Sequence, residues 1–263
     1  MTIHALPAPA LLPTVQAARH LVAEGARVPL AAWTDAEVAE GIAGLSALES
    51  QVEAWRLALA AEADARGLAE REAVTGTDAW LARLTGSTRE VAAGGLWLAR
   101  LLQEKYAATR DALAAGRLRV DQARVIVRAA ELIPAHASAA EVRQAEEWLV
   151  ARGTGEGARE GRPLDARRLR QAARRMCVPI SRDLALEHQQ ALLGREQRRA
   201  EAETWLTLCD HDDGTFSGRF VIPELHGRLL RRRLDTLSAP RRLSRDRAGD
   251  LGVDPRCPAP GPG

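Results

Sequence analysis

The segment CDHDDGTFSGRFVI, residues 209–222, holds the densest group of potential metal ligands and acids in the chain, with three aspartates and one histidine immediately before Gly214. A calcium loop of the EF-hand type needs oxygen ligands at positions 1, 3 and 5, glycine at position 6 and a bidentate glutamate at position 12. With Gly214 at position 6, positions 1 and 12 fall on Cys209 and Phe220, neither of which supplies such an oxygen. The spacing excludes an EF-hand, and we predict no metal site, no cofactor and no catalytic residue.

The flanks of this segment favour a β-hairpin. WLTLC and TFSGRFVI are rich in strand formers, and Asp213 followed by Gly214 is a strong turn signal because glycine tolerates the positive φ that tight hairpin turns require. The aspartates are then explained as turn residues, since short polar side chains bond their own backbone in turns. The apolar residues are expected on separate sides, with Leu206 and Leu208 on one and Phe216, Phe220 and Ile222 on the other.

Basic residues are concentrated in one part of the chain. Residues 1–150 carry 15 basic and 19 acidic side chains, a net −4, whereas residues 151–200 carry 12 and 6, a net +6, and the remainder is neutral. Lys105 is the only lysine, so the excess consists of arginine, which binds phosphate bidentately. The candidate surface is formed by Arg162, Arg167, Arg168, Arg170, Arg174 and Arg175.

A glycine turn and helix over residues 116–134 also resemble a helix-turn-helix, in which Arg124 and Arg128 would face DNA. Such patterns are common in helical bundles, and we favour the interpretation that the arginines are solvated. The opposite, core-facing side would then consist of Val120, Ala123, Ile126 and Val127.

These residues must be positioned mainly by helices, because alanine, leucine and arginine dominate the composition and lose little rotamer freedom in a helix. Three capping boxes are predicted to open helices: Thr34 with Glu37, Ser87 with Glu90, and Ser138 with Glu141. We therefore predict a mainly α fold, a multi-helix bundle with one small β-hairpin near the C-terminus. The predicted division is a loose arm (1–33), a helical body (34–152), a linker (153–164), basic helices with the hairpin and a final helix (165–240), and a disordered tail (241–263).

The helix after Thr34 should run to about Ala65 and stop at Gly67. Its apolar stripe consists of Ile42, Leu45, Leu48, Val52, Trp55 and Leu59. This spacing fits packing inside a bundle, which we favour, or pairing with a second helix as in a coiled coil.

Two further helices complete the prediction. The one opened by Ser87 should extend to near Gly116, with Val91, Leu98, Leu101 and Leu102 on its core side. The final helix should turn Leu225, Leu229, Leu234 and Leu237 inward.

The three cysteines, Cys177, Cys209 and Cys257, are far apart and never form a CxxC pair, so neither a disulfide framework nor a zinc ribbon is encoded. Prolines interrupt the uncharged N-terminal run, and no other run approaches the roughly 18 apolar residues of a membrane-spanning helix. We expect a cytoplasmic protein without membrane contact.

Four stretches together resemble one known family. They are LSALESQVEAWRLALAAEADARGL (45–68), WLARLTGSTREVAAGGLWLARLL (80–102), ALAAGRLRVDQARVIVRAAELIP (112–134) and the DDGTFSGRF hairpin with the arginine-bearing helix after it. In order and spacing they are similar to the 13E12 repeat family, also called domain of unknown function 222, over about 45–240.

Proteins similar to this one usually continue into a C-terminal HNH endonuclease module, which binds a divalent metal through histidines and commonly carries CxxC pairs. This sequence departs from that pattern: it has no asparagine and no CxxC, and His188, His211 and His226 are single residues. The resemblance therefore implies a non-catalytic helical part whose association with a nuclease favours contact with nucleic acid through the six arginines. The alternatives are a solvated basic face, an oligomerisation or protein-interaction module using the Ile42 to Leu59 stripe, and a truncated HNH endonuclease.

Overall fold

Helix-forming residues produce a mainly α protein with one β-hairpin near the C-terminus, as predicted. The computed structural model of the chain describes residues 11–156, 161–211 and 213–238. They divide into two compact units, one ending at Arg124 and the other beginning at Val125. The division predicted from sequence at 153–164 stays a prediction, and the predicted tail at 241–263 lies outside the described residues.

The first unit is built from helices of very different lengths. They are α1 (Leu11–Gly25), α2 (Asp35–Ala65), α3 (Leu68–Arg71), α4 (Thr77–Thr85), α5 (Arg89–Glu104), α6 (Ala107–Ala114) and the first part of α7 (Val120–Ala130). A single 3-10 turn, Leu30–Ala32, connects α1 to α2. Helix α1 lies in the segment predicted as a loose arm, and none of its residues is buried.

Local capping signals fix the start and end of α2. The Thr34 hydroxyl accepts a hydrogen bond from the Glu37 amide at 3.3 Å, and the Glu37 carboxylate accepts one from the Thr34 amide at 2.8 Å. The amide and the hydroxyl of Thr34 both donate to the Glu37 carboxylate and hold its pKa below the usual range. Gly67, with φ of 63°, lies in the left-handed region after the last turn. The predicted bounds of this helix are therefore confirmed.

The predicted packing of the α2 stripe is wrong. Ile42 and Leu45 are 64% and 63% exposed, and Val52 is 51% exposed. The buried residues of α2 are instead Ser50, Leu57, Ala60 and Ala63. The reason is length: at 1.5 Å per residue, the 31 residues of α2 span about 46 Å, whereas the 16 of α5 span only about 24 Å. The part of α2 before Ala47, where the turn at Gly116 contacts it, extends beyond the helices packed on it. Further along, the covered side is the one that holds Leu57, Ala60 and Ala63.

The helix predicted from Ser87 to Gly116 is two helices, and its cap lies one residue further along. The Thr88 hydroxyl, rather than that of Ser87, accepts from the amide of Val91 at 3.4 Å. The break between α5 and α6 falls at Lys105 and Tyr106, where the Tyr106 side chain is only 2% exposed. Burial of this large aromatic ring at the break overrides the continuous helical pattern.

The predicted core side of α5 is confirmed in part. Leu98, Leu101 and Leu102 are buried on α5, as predicted, whereas Val91 is 58% exposed. Arg100 of α5 forms two hydrogen bonds to the carboxylate of Asp64 on α2, at 2.6 and 2.8 Å. This pairing lowers the pKa of the Asp64 carboxyl and ties the two helices together at the edge of their contact.

The turn between α6 and α7 lies against the backbone of α2. Gly116 adopts φ of 72°, and a Cβ placed there would lie 2.9 Å from the carbonyl oxygen of Ala47. Both the backbone conformation and the lack of space therefore demand glycine at this position.

The second unit contains the rest of α7 followed by α8 (Ala139–Thr154), α9 (Ala166–Ala173), α10 (Arg182–Ala202), β1 (Trp205–Asp210), β2 (Phe216–Val221) and α11 (Glu224–Ser238). The cap predicted at Ser138 is present, and the side chains of Asp165 and Ser181 cap α9 and α10. Leu149, Leu169 and Met176 are fully buried in this unit.

The segment predicted as a linker is partly ordered onto α8. Its first two residues are the last of α8, and Gly155 ends the helix with φ of 88°. The amide of Leu164 then donates to the carbonyl of Arg152 at 3.0 Å, so the chain folds back over the end of α8 before α9 begins.

The hairpin forms where predicted, with Gly214 at φ of 81° in its turn, but its faces differ from the prediction. Leu206 pairs with Phe220 and Asp210 with Phe216, so Leu206, Leu208, Phe216 and Phe220 share one face, because directly paired residues do. That face is exposed, with Leu206, Leu208 and Phe216 between 62% and 67% accessible. The prediction that the leucines of the last helix point inward is also wrong, since Leu225, Leu229 and Leu234 are more than half exposed. The side chain of Leu237 is not among those that the structure describes.

Candidate functional site

The six candidate arginines are all exposed on α9 and its flanks. Arg162 precedes the helix, Arg167, Arg168 and Arg170 lie within it, and Arg174 and Arg175 follow its last turn. On a helix with 100° between residues, Arg167, Arg170 and Arg174 point within about 60° of one another. The sequence-based grouping of these three on one side is therefore consistent with the observed bounds of α9.

The opposite side of α9 anchors it in the second unit. Leu169 is 0% and Ala173 2% exposed, and just beyond the helix Met176 and Cys177 are 0% and 1% exposed. Burial raises the pKa of the Cys177 thiol to about 11, so this thiol stays protonated and unreactive at neutral pH. Since its apolar side is fixed in this way, α9 holds its basic side toward solvent.

Two of the six arginines are engaged with carboxylates. Arg168 lies 3.7 Å from a carboxylate oxygen of Asp165, the residue that caps α9. A single nitrogen of Arg174, Nη2, donates to both carboxylate oxygens of Glu196 on α10, at 2.9 and 2.8 Å. Both pairs are solvent-exposed, and each contributes roughly 0–1 kcal/mol to stability.

The Arg174 contact with Glu196 places α10 beside α9. Arg195 and Arg198 are exposed on α10 but lie about 100° and 160° around this helix from Glu196, so they point away from that contact. Among the described residues, no ion pair involves Arg162, Arg167, Arg170, Arg175, Arg195 or Arg198. We call these six residues the unpaired arginines. Arg195 and Arg198 were not among the arginines predicted from the sequence, although the run GREQRR at 194–199 carries the same signal.

The acidic segment at 209–214 forms a turn. The Asp213 carboxylate accepts hydrogen bonds from the amide and hydroxyl of Thr215, which lower the pKa of Asp213. His211 contacts the Ser217 hydroxyl at 2.9 Å across the hairpin. Among the described residues, which leave out Asp212, no group of three His, Cys, Asp or Glu side chains is arranged to hold a metal ion.

The three histidines considered for metal chemistry are not brought together by these contacts. His188 is 0% exposed, and its Nε2 contacts the carbonyl of Ala129 on α7 at 2.9 Å. Burial lowers its pKa, so the ring is neutral at pH 7 and Nε2 donates the bond. His211 belongs to the hairpin turn, and His226 is exposed on α11. His188 is thus explained by packing and a backbone hydrogen bond.

The predicted core residues of the possible helix-turn-helix are mostly buried. Ala123, Ile126 and Val127 are all 0% exposed, while Val120 is half-buried. Of the two arginines, Arg128 is exposed, as expected of a solvated residue, but Arg124 is half-buried and its Nε is fully shielded. The prediction that both arginines are solvated is therefore wrong for Arg124.

None of the described helices combines the length and the apolar character needed to cross a bilayer. A family model described as "Domain of unknown function (DUF222)" matches residues 40–262 of the chain. The match includes α9, α10 and all six of the arginines selected from the sequence. No curated protein and no solved structure gives a match.

Proposed function

Because the chain belongs to the DUF222 family, we propose that it is a non-catalytic helical module that contacts nucleic acid through the exposed basic surface of α9 and α10. The observation that carries this proposal is the set of unpaired arginines, which are exposed and lack a carboxylate partner among the described residues.

The chemistry of these arginines suits a phosphate backbone. Guanidinium groups are always charged and bind phosphate oxygens through two parallel N–H donors. Residues 161–203 carry ten arginines and six acids, so this surface has a net charge of +4. A net positive surface attracts phosphates of any sequence, because phosphate contacts position a protein without reading bases.

The proposal is tested by fluorescence anisotropy of the full chain with a labelled 20-base-pair duplex and with single strands of DNA and RNA. If all the unpaired arginines contact phosphates of a duplex, log K should fall with log salt at a slope of about −5.4. Raising salt from 50 to 200 mM would then weaken binding about a thousandfold.

The variant to compare is the double substitution Arg167→Gln with Arg170→Gln. Loss of two phosphate contacts should reduce the slope to about −3.6. Neither residue has an ion pair among the described residues, so the substitution leaves no carboxylate unpaired. The matched control is Arg27→Gln with Arg71→Gln, which removes the same charge from exposed positions of the first unit. Equal slopes for the two double variants would contradict the proposal, as would absence of binding at 50 mM salt.

A second candidate function, self-association, is favoured by the exposure of the α2 stripe. Leu45 and Val52, with Val38 and Leu59 at the same seven-residue spacing, are all exposed apolar residues on one helix. Continuous apolar stripes of this kind mark interaction surfaces more often than solvated faces. We propose that a second copy of α2 covers this stripe.

Sedimentation velocity of the wild-type chain and of Leu45→Asp tests this second proposal. The wild type should sediment as a species larger than a monomer, and the variant as a folded monomer, because Leu45 is exposed within its own unit. Leu186→Asp, at a position 51% exposed on α10, is the control and should not change the assembly. A wild-type chain that stays monomeric at every concentration would refute the proposal.

A further inference from the structure

The first unit contains an apolar cavity between its helices, with a volume of about 350 Å³. Its walls include Leu57 and Ala60 from α2, Trp80 and Leu81 from α4, and Leu96 from α5. This volume and mainly apolar lining are typical of sites that hold small molecules.

A cationic group lies at the wall of this cavity. Arg124 lines it, and its Nε is shielded from solvent without a hydrogen-bond partner. Because Nε is closed to a water molecule while the residue as a whole is only half-buried, a ligand in the cavity can reach only the rest of this guanidinium. Among the described residues, no ion pair involves Arg124 either.

The other polar groups of the lining do not neutralise Arg124. Arg56 also lines the cavity, but its Nε and Nη2 each donate to the Glu53 carboxylate at 2.8 Å. Thr85 and Ser87 supply hydroxyl groups that lie 2.9 Å apart. The lining residues include no aspartate or glutamate. The cavity therefore combines apolar walls with one uncompensated positive charge.

We propose that this cavity binds a small apolar carboxylate, with the carboxylate paired to Arg124 and the apolar body between α2, α4 and α5. An anionic group fits because it supplies the countercharge that the Arg124 guanidinium lacks. An apolar body fits because the walls offer few polar groups to replace water.

The first experiment uses straight-chain probes with the purified full chain, at concentrations below those at which they form micelles. Decanoate should bind with one-to-one stoichiometry in isothermal titration calorimetry, and decan-1-ol should bind about 10- to 100-fold more weakly, as expected for loss of one charge-assisted hydrogen bond. Lengthening the carboxylate from hexanoate should raise affinity about fourfold per methylene until the cavity is filled. Equal binding of decanoate and decan-1-ol would overturn the proposal.

A pair of glycine variants tests the location of the site. Gly95 lines the cavity, whereas its neighbour Gly94 does not, and a Cβ at either position meets no atom within 4 Å. Gly95→Leu should place a side chain in part of the cavity and weaken decanoate binding at least tenfold, while Gly94→Leu should leave it unchanged. Both substitutions favour the helical state of α5, so loss of folding is not expected. A decanoate affinity that is unchanged in Gly95→Leu would place the probe elsewhere and refute the assignment.

A pair of arginine variants tests the charge. Arg124→Gln should lower decanoate affinity to that of decan-1-ol and leave the affinity for decan-1-ol unchanged, because only the carboxylate contact is lost. Arg128→Gln, in the same helix but exposed, is the control and should have no effect. Unchanged decanoate affinity in Arg124→Gln would refute the role of Arg124. Circular dichroism of each variant verifies that it remains folded.

Discussion

The substitution Gly116→Ala isolates a close backbone contact that only the tertiary structure reveals. Gly116 has φ of 72° in the turn before α7, and a Cβ there would lie 2.9 Å from the carbonyl oxygen of Ala47 and 3.0 Å from its Cβ. The obstructing atoms belong to the middle of the 31-residue helix α2 and cannot rotate away as a side chain could. The Gly116→Ala variant must therefore accommodate both backbone strain and a steric clash.

The control is Gly86→Ala, because Gly86 has φ of 68° at the end of α4 and nothing within 4 Å of an added Cβ. The left-handed conformation costs an alanine roughly 1–2 kcal/mol, and this loss should be common to both variants. Overpacking adds roughly 1–3 kcal/mol at Gly116 alone, for a total of roughly 2–5 kcal/mol. The gain from a less flexible unfolded chain applies to both and cancels in the comparison.

Urea denaturation followed by circular dichroism at 222 nm measures the free energy of unfolding for the wild type and both variants. We expect the midpoint of Gly116→Ala to lie clearly below that of Gly86→Ala, with similar slopes. Equal destabilisation of the two variants would refute the reasoning, because it would show that the contact with Ala47 carries no steric cost.

Two further outcomes concern single side chains, the buried His188 and the cap of α5. Burial lowers the pKa of His188 below 6.5, so the folded chain resists a proton that the unfolded chain accepts. The free energy of unfolding should therefore be unaffected above pH 6.5 and decrease below it. The decrease should be up to about 1.4 kcal/mol per pH unit until the pH reaches the lowered pKa. Urea midpoints at pH 7.5 and 5.5 should show this loss in the wild type and a smaller one in His188→Gln; identical losses would exclude His188 as the cause. At the start of α5, Thr88→Ala should cost about 1 kcal/mol and Ser87→Ala close to none, since only the Thr88 hydroxyl caps the helix. Thermal unfolding of both variants checks this, and the reverse order would restore Ser87 as the cap.

Much of the fold could be predicted from the sequence because its signals are local. Thr34 with Glu37 and Ser138 with Glu141 bond groups only three residues apart, so their geometry depends on little beyond the helix that they open. The turn at Asp213 and Gly214 is equally local, which is why the hairpin lies where it was expected. The cap at Thr88 was missed because the adjacent hydroxyls of Ser87 and Thr88 offer the same chemistry.

Part of the basic surface on α9 could also be predicted, because part of its signal is local. The arginines of α9 could be found from charge alone, and the apolar spacing of Leu169 and Ala173 determined which side of α9 they occupy. The pairing of Arg174 with Glu196 was not predictable, since 22 residues separate them and only the folding of α10 beside α9 brings them together. The cavity at Arg124 was missed because its lining comes from α2, α4, α5 and α7.

By itself, the sequence determined the family, the helical class, most helix starts and the position of the basic segment, since these depend on composition and on hydrogen bonds between near neighbours. The tertiary structure decided which apolar residues are covered. Ile42 and Leu225 resemble core residues in any helical pattern, yet both are exposed, because coverage depends on where other helices end. Periodicity identifies the apolar side of a helix, but only a neighbouring element can bury it.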